Sequence, residues 1–378
     1  WDWEIMKILL VVGTRPEAIK MVPVYRALVA IGDCDPRIVL TGQHREMARS
    51  VLDLFAIEPS YDLDVMEQGQ TLSSLLARIT SSLSVLVRET RPDAMVVQGD
   101  TTSAMVGGLL GMYSRCPIAH VEAGLRTGNL QAPFPEEFNR RVIALATRWH
   151  FAPTEAAAEN LRKEGIVGGV HVVGNTVIDA AIDVARMITP RMAELKHRLP
   201  FLGDTSKKTV LVTTHRRENF GEPMLEIAHA VSSIANTCND VEFVIPVHPN
   251  PVVGEALRPI LSRLPNVHLI EPLEYDELVF VLKNSFLILT DSGGLQEEAP
   301  AFDVPVLVLR NETERMEGVR AGCSQLIGTS RDNLVGAVKH LLGDRQLHAR
   351  MAQAPNPYGD GRAGQAIARI MLGRCGGA

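Results

Sequence analysis

Residues 287–300, LILTDSGGLQEEAP, decide the fold. The apolar run that opens them, from Phe286 just ahead to Thr290, is of strand length and is ended by turn chemistry. The pattern assigns Asp291-Ser292-Gly293-Gly294 to the turn and starts a helix at Leu295, with Glu297 and Glu298 in its first turn. A strand that ends in Ser-Gly-Gly and opens a helix aims free backbone N–H groups at one point, which is how α/β proteins hold a phosphate. A tight strand-to-helix turn without a ligand has the same local signature. The rest of the chain must decide between the two.

Strands and helices alternate on both sides of this stretch. The second half reads as strands at 209–213, 241–247, 267–270, 286–290 and 306–309, with helices between them. The first half reads as strands at 7–12, 37–41, 94–97, 117–121, 149–151 and 170–173. A polar, lysine-bearing segment, residues 203–208, marks a boundary expected between about 175 and 205. The spacing predicts an α/β chain of two doubly wound, Rossmann-like domains, 6–180 and 181–360, facing across a cleft. Residues 356–361, NPYGDG, break the chain before a last helix in 361–378, expected to cross back to the first domain.

A length of 378 residues fits two cores. The net charge is −6 and no long basic run occurs, which argues against nucleic acid or a membrane surface as partner. An anionic ligand must then be met by local arginines, lysines and backbone dipoles. Cys34, Cys116, Cys238, Cys323 and Cys375 are scattered, without C-x-x-C spacing, and read as reduced thiols of a cytosolic protein rather than a disulfide frame or metal site. No secretory signal or membrane-length apolar run is visible. Trp1–Ile5 read as an extension ahead of Met6, with no function assigned.

The polar residues worth chemistry fall where strands end. Gly13-Thr14-Arg15-Pro16-Glu17 follows the first strand; Pro16 and Glu17 suit the first turn of a helix that runs to about Val29. Arg15 and Lys20 sit at its mouth as candidate anion contacts. The G-x-G-x-x-G fingerprint is absent, which speaks against a dinucleotide cofactor on this turn. Gln43, His44 and Arg45 lie beyond the second strand, and Asp100 and Glu122 beyond two later ones. A carboxylate at a helix start is also an ordinary N-cap, and for Asp100 both readings stand. Glu136 and Glu137 enter the helix after two fixed prolines, where dipole complementarity alone would explain them.

Taken together, these stretches resemble the non-hydrolysing UDP-N-acetylglucosamine 2-epimerases. The matching segments are GTRPEAIKM (13–21), TGQHREM (41–47), QGDTTS (98–103), HVEAGLRTG (120–128), PFPEEFNR (133–140), GNTVID (174–179), THRREN (214–219), PVHPNP (246–251), LTDSGGLQEEAP (289–300), TER (313–315) and NPYGDG (356–361). They stand in family order over residues 6 to about 372. The resemblance implies the two-domain glycosyltransferase-B architecture and a homodimer. It implies Asp100, Glu122 and Glu136 as catalytic carboxylates, with His215 as a sugar-nucleotide contact and a fourth candidate for the chemistry. It also implies Arg15 and Lys20 as ligand contacts, and Ser292, Gly293, Gly294, Glu298 and Arg315 as the UDP site. Gln43, Gln70 and His248 fall near positions where some bacterial members bind a second UDP-GlcNAc as activator.

The sequence departs from the commoner pattern at Leu273, Leu278 and Met316, all by the expected uridine site or its loop. The implied reaction interconverts UDP-GlcNAc and UDP-ManNAc through 2-acetamidoglucal, with no cofactor and no metal. Its rivals are a hydrolysing epimerase that releases N-acetylmannosamine, a nucleotide-sugar glycosyltransferase, and a non-catalytic UDP-sugar sensor.

Overall fold

Five consecutive residues, Ile8 to Val12, are each at most 1% exposed. Burial on both faces puts such a run at the centre of a parallel sheet. The computed structural model, which describes residues 5–67, 69–202 and 206–374, places it there. Trp1 to Glu4, the Gly203–Thr205 part of the expected boundary segment, and Cys375 lie outside the described residues. The chain forms two compact units. Unit 1 takes the residues up to Ala180 and those from Gly359 onward; unit 2 is Ala181–Tyr358.

In unit 1 the order is β1 (Met6–Val12), α1 (Arg15–Ile31), β2 (Cys34–Leu40), α2 (Arg45–Leu54), β3 (Tyr61–Asp62), α3 (Leu72–Thr90), β4 (Ala94–Gln98) and α4 (Thr102–Tyr113). Then follow β5 (Ile118–Val121), α5 (Glu136–Ala146), β6 (Trp149–Ala152), α6 (Glu155–Lys163), β7 (Val170–Val172) and α7 (Thr176–Met187), which runs on into unit 2. Among the described residues the strands form a seven-stranded parallel sheet in the order 3-2-1-4-5-6-7. On one face Leu9, Val11, Met95 and Val97 bury against Ile79 and Leu83 of α3 and Ala104 and Val106 of α4.

Unit 2 holds α8 (Met192–Arg198), β8 (Lys208–Thr213), α9 (Glu222–Ala235), β9 (Val241–Pro246), α10 (Pro251–Leu261), β10 (Val267–Ile270) and α11 (Tyr275–Lys283). It continues with β11 (Leu287–Thr290), α12 (Gly293–Glu298), β12 (Val306–Val308), α13 (Met316–Ala321), β13 (Ser324–Leu326), α14 (Arg331–Gly343) and α15 (Arg345–Ala352). Its described strands run parallel in the order 10-9-8-11-12-13. Val210, Val212, Phe243, Ile245, Leu287 and Leu289 face Ile227 and Val231 of α9 and Leu334 and Val338 of α14. In both sheets the order reverses beside the first strand, at β1/β4 and at β8/β11. Loops leaving the carboxyl ends of those strands flank a crevice that open α/β sheets use for ligands.

The structure departs most from the sequence reading at four elements. β3 and β13 are too short and too polar to show a strand period, and neither was expected. Strand β2 begins at Cys34 rather than 37, because its register follows β1 from Met6 onward despite Pro36. Helix α12 begins at Gly293, not Leu295, with Ser292 as its N-cap. Gly293 and Gly294 are therefore helical residues, and Glu297 and Glu298 close the helix instead of opening it.

The last helix, α16 (Ala363–Met371), returns to unit 1 and packs on α1. Gly364 allows the approach: a Cβ there would lie 2.7 Å from the Pro23 carbonyl oxygen, while its N–H donates to Asp179 Oδ1 at 2.8 Å. Overpacking against backbone costs about 1–3 kcal/mol. Gly364→Val should lower the thermal midpoint by roughly 2–10 °C. Gly336→Ala, at an exposed position in α14 with nothing within 4 Å, should not lower it. Equal midpoints for Gly364→Val and the parent would remove the contact from the stability of unit 1.

Candidate active site

The β1–α1 loop is shaped by a buried carboxylate. Thr14 caps α1, and Glu17 folds back so that Oε2 accepts from the Gly13 N–H (3.0 Å) and Thr14 Oγ1 (2.9 Å). Glu17 Oε1 accepts from Thr101 Oγ1 at 2.6 Å, which ties this loop to the end of β4. Burial pushes the Glu17 carboxyl up to about 7, against the hydrogen bonds that favour its charged form. The sequence assigned Glu17 to the helix dipole alone; its partner Thr101 is far off in the chain.

Thr101, not Asp100, caps α4, accepting from Ala104 N–H at 3.0 Å. The N-cap reading of Asp100 is thereby removed. Its carboxylate instead accepts from Arg140 Nε (2.8 Å) and Nη2 (2.6 Å), both on Oδ2, and Asn139 Nδ2 donates to its backbone oxygen (2.8 Å). Arg140 and Asn139 stand on α5. The helix also separates the two neighbouring glutamates. Glu137 is fully buried and accepts from the Thr127 and Gly128 N–H groups at 3.0 and 3.2 Å. Glu136 is half-buried, and its carboxylate takes no hydrogen bond or ion pair among the described residues.

Glu122, 8% exposed, follows β5 with φ 63, a left-handed backbone that costs a residue with a side chain of the order of 1–3 kcal/mol. Such strain persists where surroundings hold it, and here they do. Lys20 Nζ lies 2.5 Å from Glu122 Oε2, Gln98 Nε2 donates to the same oxygen, and Asn175 Nδ2 donates to Oε1 at 3.2 Å. Lys20, expected as a ligand contact, is thus an ion-pair partner of a candidate catalytic group. Gln98 and Asn175 lay inside quoted motifs without being singled out. Arg15 is half-buried at the first position of α1. Gln43 Oε1 accepts from Ser103 Oγ at 2.9 Å, whereas Gln70 is tied to Met66 and Glu67 within its own loop.

In unit 2 the organiser is Asp291, completely buried after β11. It accepts from Thr214 Oγ1 (3.0 Å), the His215 and Arg216 N–H groups (2.9 Å each) and Asn219 Nδ2 (2.9 Å). One carboxylate thereby folds the whole Thr214–Asn219 loop against the next strand end, a role the sequence reading missed by treating Asp291 as a turn residue. His215 Nδ1 lies 3.3 Å from Asp291 Oδ1, and its ring stacks on His248 at 5.6 Å. Burial pushes the His215 imidazole below its ordinary value, which outweighs the pull of Asp291.

Gly293 is where a guanidinium seats. A Cβ there would lie 2.5 Å from Arg315 Cζ. Arg315 donates from Nε to Glu297 (2.7 Å) and from Nη1 to Glu314 (2.6 Å). Burial works to raise the Glu314 carboxyl, but Arg315 and Arg310 bring it down to about 2. Glu298 Oε1 accepts from Tyr275 OH at 2.8 Å. Leu273 is buried, Leu278 half-buried, and Met316 opens α13 with 36% exposure. Among the described residues no three His, Cys, Asp or Glu side chains gather as a metal site, and no helix is long and apolar enough to cross a membrane.

Comparison with known proteins accounts for nearly the whole chain. The family model described as UDP-N-acetylglucosamine 2-epimerase matches residues 26–372. The UDP-N-acetylglucosamine 2-epimerase of Escherichia coli K12 is 46% identical over 370 residues, 97% of either chain. A Neisseria meningitidis UDP-GlcNAc 2-epimerase, solved with UDP-GlcNAc bound, superposes with a TM-score of 0.92 at 42% identity, covering 97% of this chain and 100% of that one. A Methanocaldococcus jannaschii enzyme, solved with UDP-GlcNAc and UDP, gives 0.82 at 32% identity, over 97% and 99%. This chain belongs to the UDP-N-acetylglucosamine 2-epimerase family.

The buried Glu17 carries a pH signature. Its folded-state value lies above that of an unfolded glutamate, so its contribution is complete below about 4.5 and is lost as pH rises through about 7. Glu17→Gln cannot ionise. The variant should therefore gain on the parent between pH 5 and 8.5, by at most about 3 kcal/mol. Thermal melts at both pH values read this; parallel midpoint curves would show that Glu17 does not titrate as its burial demands.

Proposed function

We propose that the chain interconverts UDP-GlcNAc and UDP-ManNAc by eliminating and re-adding UDP, without a redox cofactor. The observation that carries this reading is in unit 1. Asp100 and Glu122 leave successive strand ends, each oriented by its own basic partner, and Glu136 opens the helix that supplies Arg140. The C2–H bond of the amino sugar is not acidified by a neighbouring carbonyl. Breaking C1–O sends the electron pair out with UDP while a base takes the C2 proton, leaving the C1=C2 bond of 2-acetamidoglucal. Protonation at C2 from the other face, with return of a UDP oxygen to C1, completes the inversion. Two opposed proton transfers need separate acid and base groups, which Asp100, Glu122, Glu136 and His215 offer.

The nucleotide falls to unit 2 in this reading. The N–H groups at Ser292, Gly293 and Gly294 and the Arg315 guanidinium are suited to hold the diphosphate. Glu298 is suited to accept from ribose hydroxyls. The family resemblance further supports a cytoplasmic homodimer, and a second UDP-GlcNAc touching Gln43, Gln70 and His248 as activator. Light scattering and a turnover curve against UDP-GlcNAc concentration test these two.

A proton NMR time course with UDP-GlcNAc in D2O, without NAD, tests the reaction. UDP-ManNAc and UDP-GlcNAc with deuterium at C2 is the expected result. Free N-acetylmannosamine with UDP would make the protein a hydrolysing epimerase, and unchanged substrate in a sample that binds it would leave a sensor or transferase. Asp100→Asn and Glu136→Gln should each cut turnover at least ~100-fold; near-parental turnover would strike that residue from the mechanism. Gly293→Ala must displace Arg315 and should weaken UDP binding by roughly 10-fold, read by calorimetry.

A further inference from the structure

His120 lies in the middle of the unit 1 sheet, 1% exposed, directly beside Val97 of β4. Its Nε2 is 2.7 Å from the carbonyl oxygen of Gly99, the residue between Gln98 and Asp100. A carbonyl only accepts, so Nε2 carries the proton. Nδ1 is left as the lone-pair nitrogen, buried and without a hydrogen-bond partner among the described residues. Charging that ring is opposed by burial, which holds the imidazole down at about 3. His120 is a fixed neutral donor.

Gln98 makes the return connection. It ends β4 at 3% exposure and sends Nε2 to Glu122, the first residue after β5. Between these two side-chain bonds the Gly99 N–H donates to the Val121 oxygen at 3.0 Å. The chain then turns at Gly99, φ +69, and the next residue is Asp100.

We propose that Gln98 and His120 form a reciprocal staple between the ends of β4 and β5, which fixes the spacing and orientation of Asp100 and Glu122. Both are positioning residues: Gln98 acts through Glu122, and His120 through Gly99. Core packing does not account for them. A phenylalanine would fill the site of His120 without burying a nitrogen that lacks a partner, an arrangement that costs about 1–3 kcal/mol. The polar side chain stands where it aims a strand end, and misplacing a reacting group by about 1 Å can cost ~100-fold in rate.

The proposal rests on the catalytic reading of Asp100 and Glu122, and the experiment separates the two. Turnover, KM, UDP affinity and thermal midpoint are measured for His120→Phe, His120→Gln, Gln98→Leu, Asp100→Asn and Asp100→Asn/His120→Phe. His120→Gln keeps a donor at similar reach. His120→Phe and Gln98→Leu should lose roughly 10- to 100-fold in kcat with KM and UDP affinity within about 3-fold. His120→Gln should recover most of the loss, and His120→Phe should add little in the Asp100→Asn background. Parental turnover in His120→Phe, or equal losses in the Phe and Gln variants, overturns the staple. Should His120→Phe fail to fold, Gln98→Leu decides by the same kcat-against-KM criterion. Parental turnover in Asp100→Asn would instead sink the catalytic reading itself.

Discussion

A parallel strand buried on both faces can offer a ligand only its carboxyl end, and that constraint governs both units. β1 and β8 are each flanked by strands from which the chain departs in opposite directions. The crossover helices therefore leave on opposite sides of the sheet, and the loops at β1/β4 and β8/β11 are left uncovered. Polar residues that could serve a ligand collect there. From Ile8 to the end of β1, and all along β4 and β11, the strand residues are buried. Hydroxyls, amides, carboxylates and guanidinium groups follow within a few residues of each strand end.

Those loops are irregular backbone, and irregular backbone must satisfy its own donors. In each unit a buried carboxylate does this. Asp291 gathers two backbone N–H groups, a hydroxyl and an amide; Glu17 gathers a backbone N–H and two hydroxyls; Glu137 takes the N–H groups of Thr127 and Gly128. Breaking one of these acceptors would strand several donors at once, which is costlier than losing a single bond. The arrangement gives loops the rigidity that catalytic geometry needs while leaving the sheets to carry the hydrophobic burial.

The alternation of strands and helices, the doubly wound class and most strand ends were legible because each rests on a local pattern. Val267–Ile270 matches the expected strand residue for residue, and the other long strands differ by a few residues at their ends. β3 and β13 were not legible, since two or three residues cannot display a period and their pairing is set by neighbours. The start of α12 was misread for a related reason. Gly293 suggested a turn, but its requirement is a remote one, the seat of the Arg315 guanidinium. Asp100 and Glu122 were singled out as candidates from their positions after strands. Gln98, Asn175, Asp291 and the buried role of Glu17 were not, because each is defined by a partner tens of residues away.

His120, Gln98 and Glu122 share a physical character: each breaks the local rule of the place it occupies in the chain. His120 and Gln98 are polar in strands otherwise built of Ile, Val, Met and Ala, and Glu122 holds a backbone conformation that a glycine would adopt more readily. Each departure lowers the intrinsic stability of the strand ends. Each is also answered by a partner on the adjoining strand or helix, so that the cost of one residue is offset only when the other is in place. Two strand ends tied in this way can move only together. A sheet built for stability alone would have kept β4 and β5 apolar to their last residues, and its two carboxylates would then have lacked a tie between the strand ends that carry them.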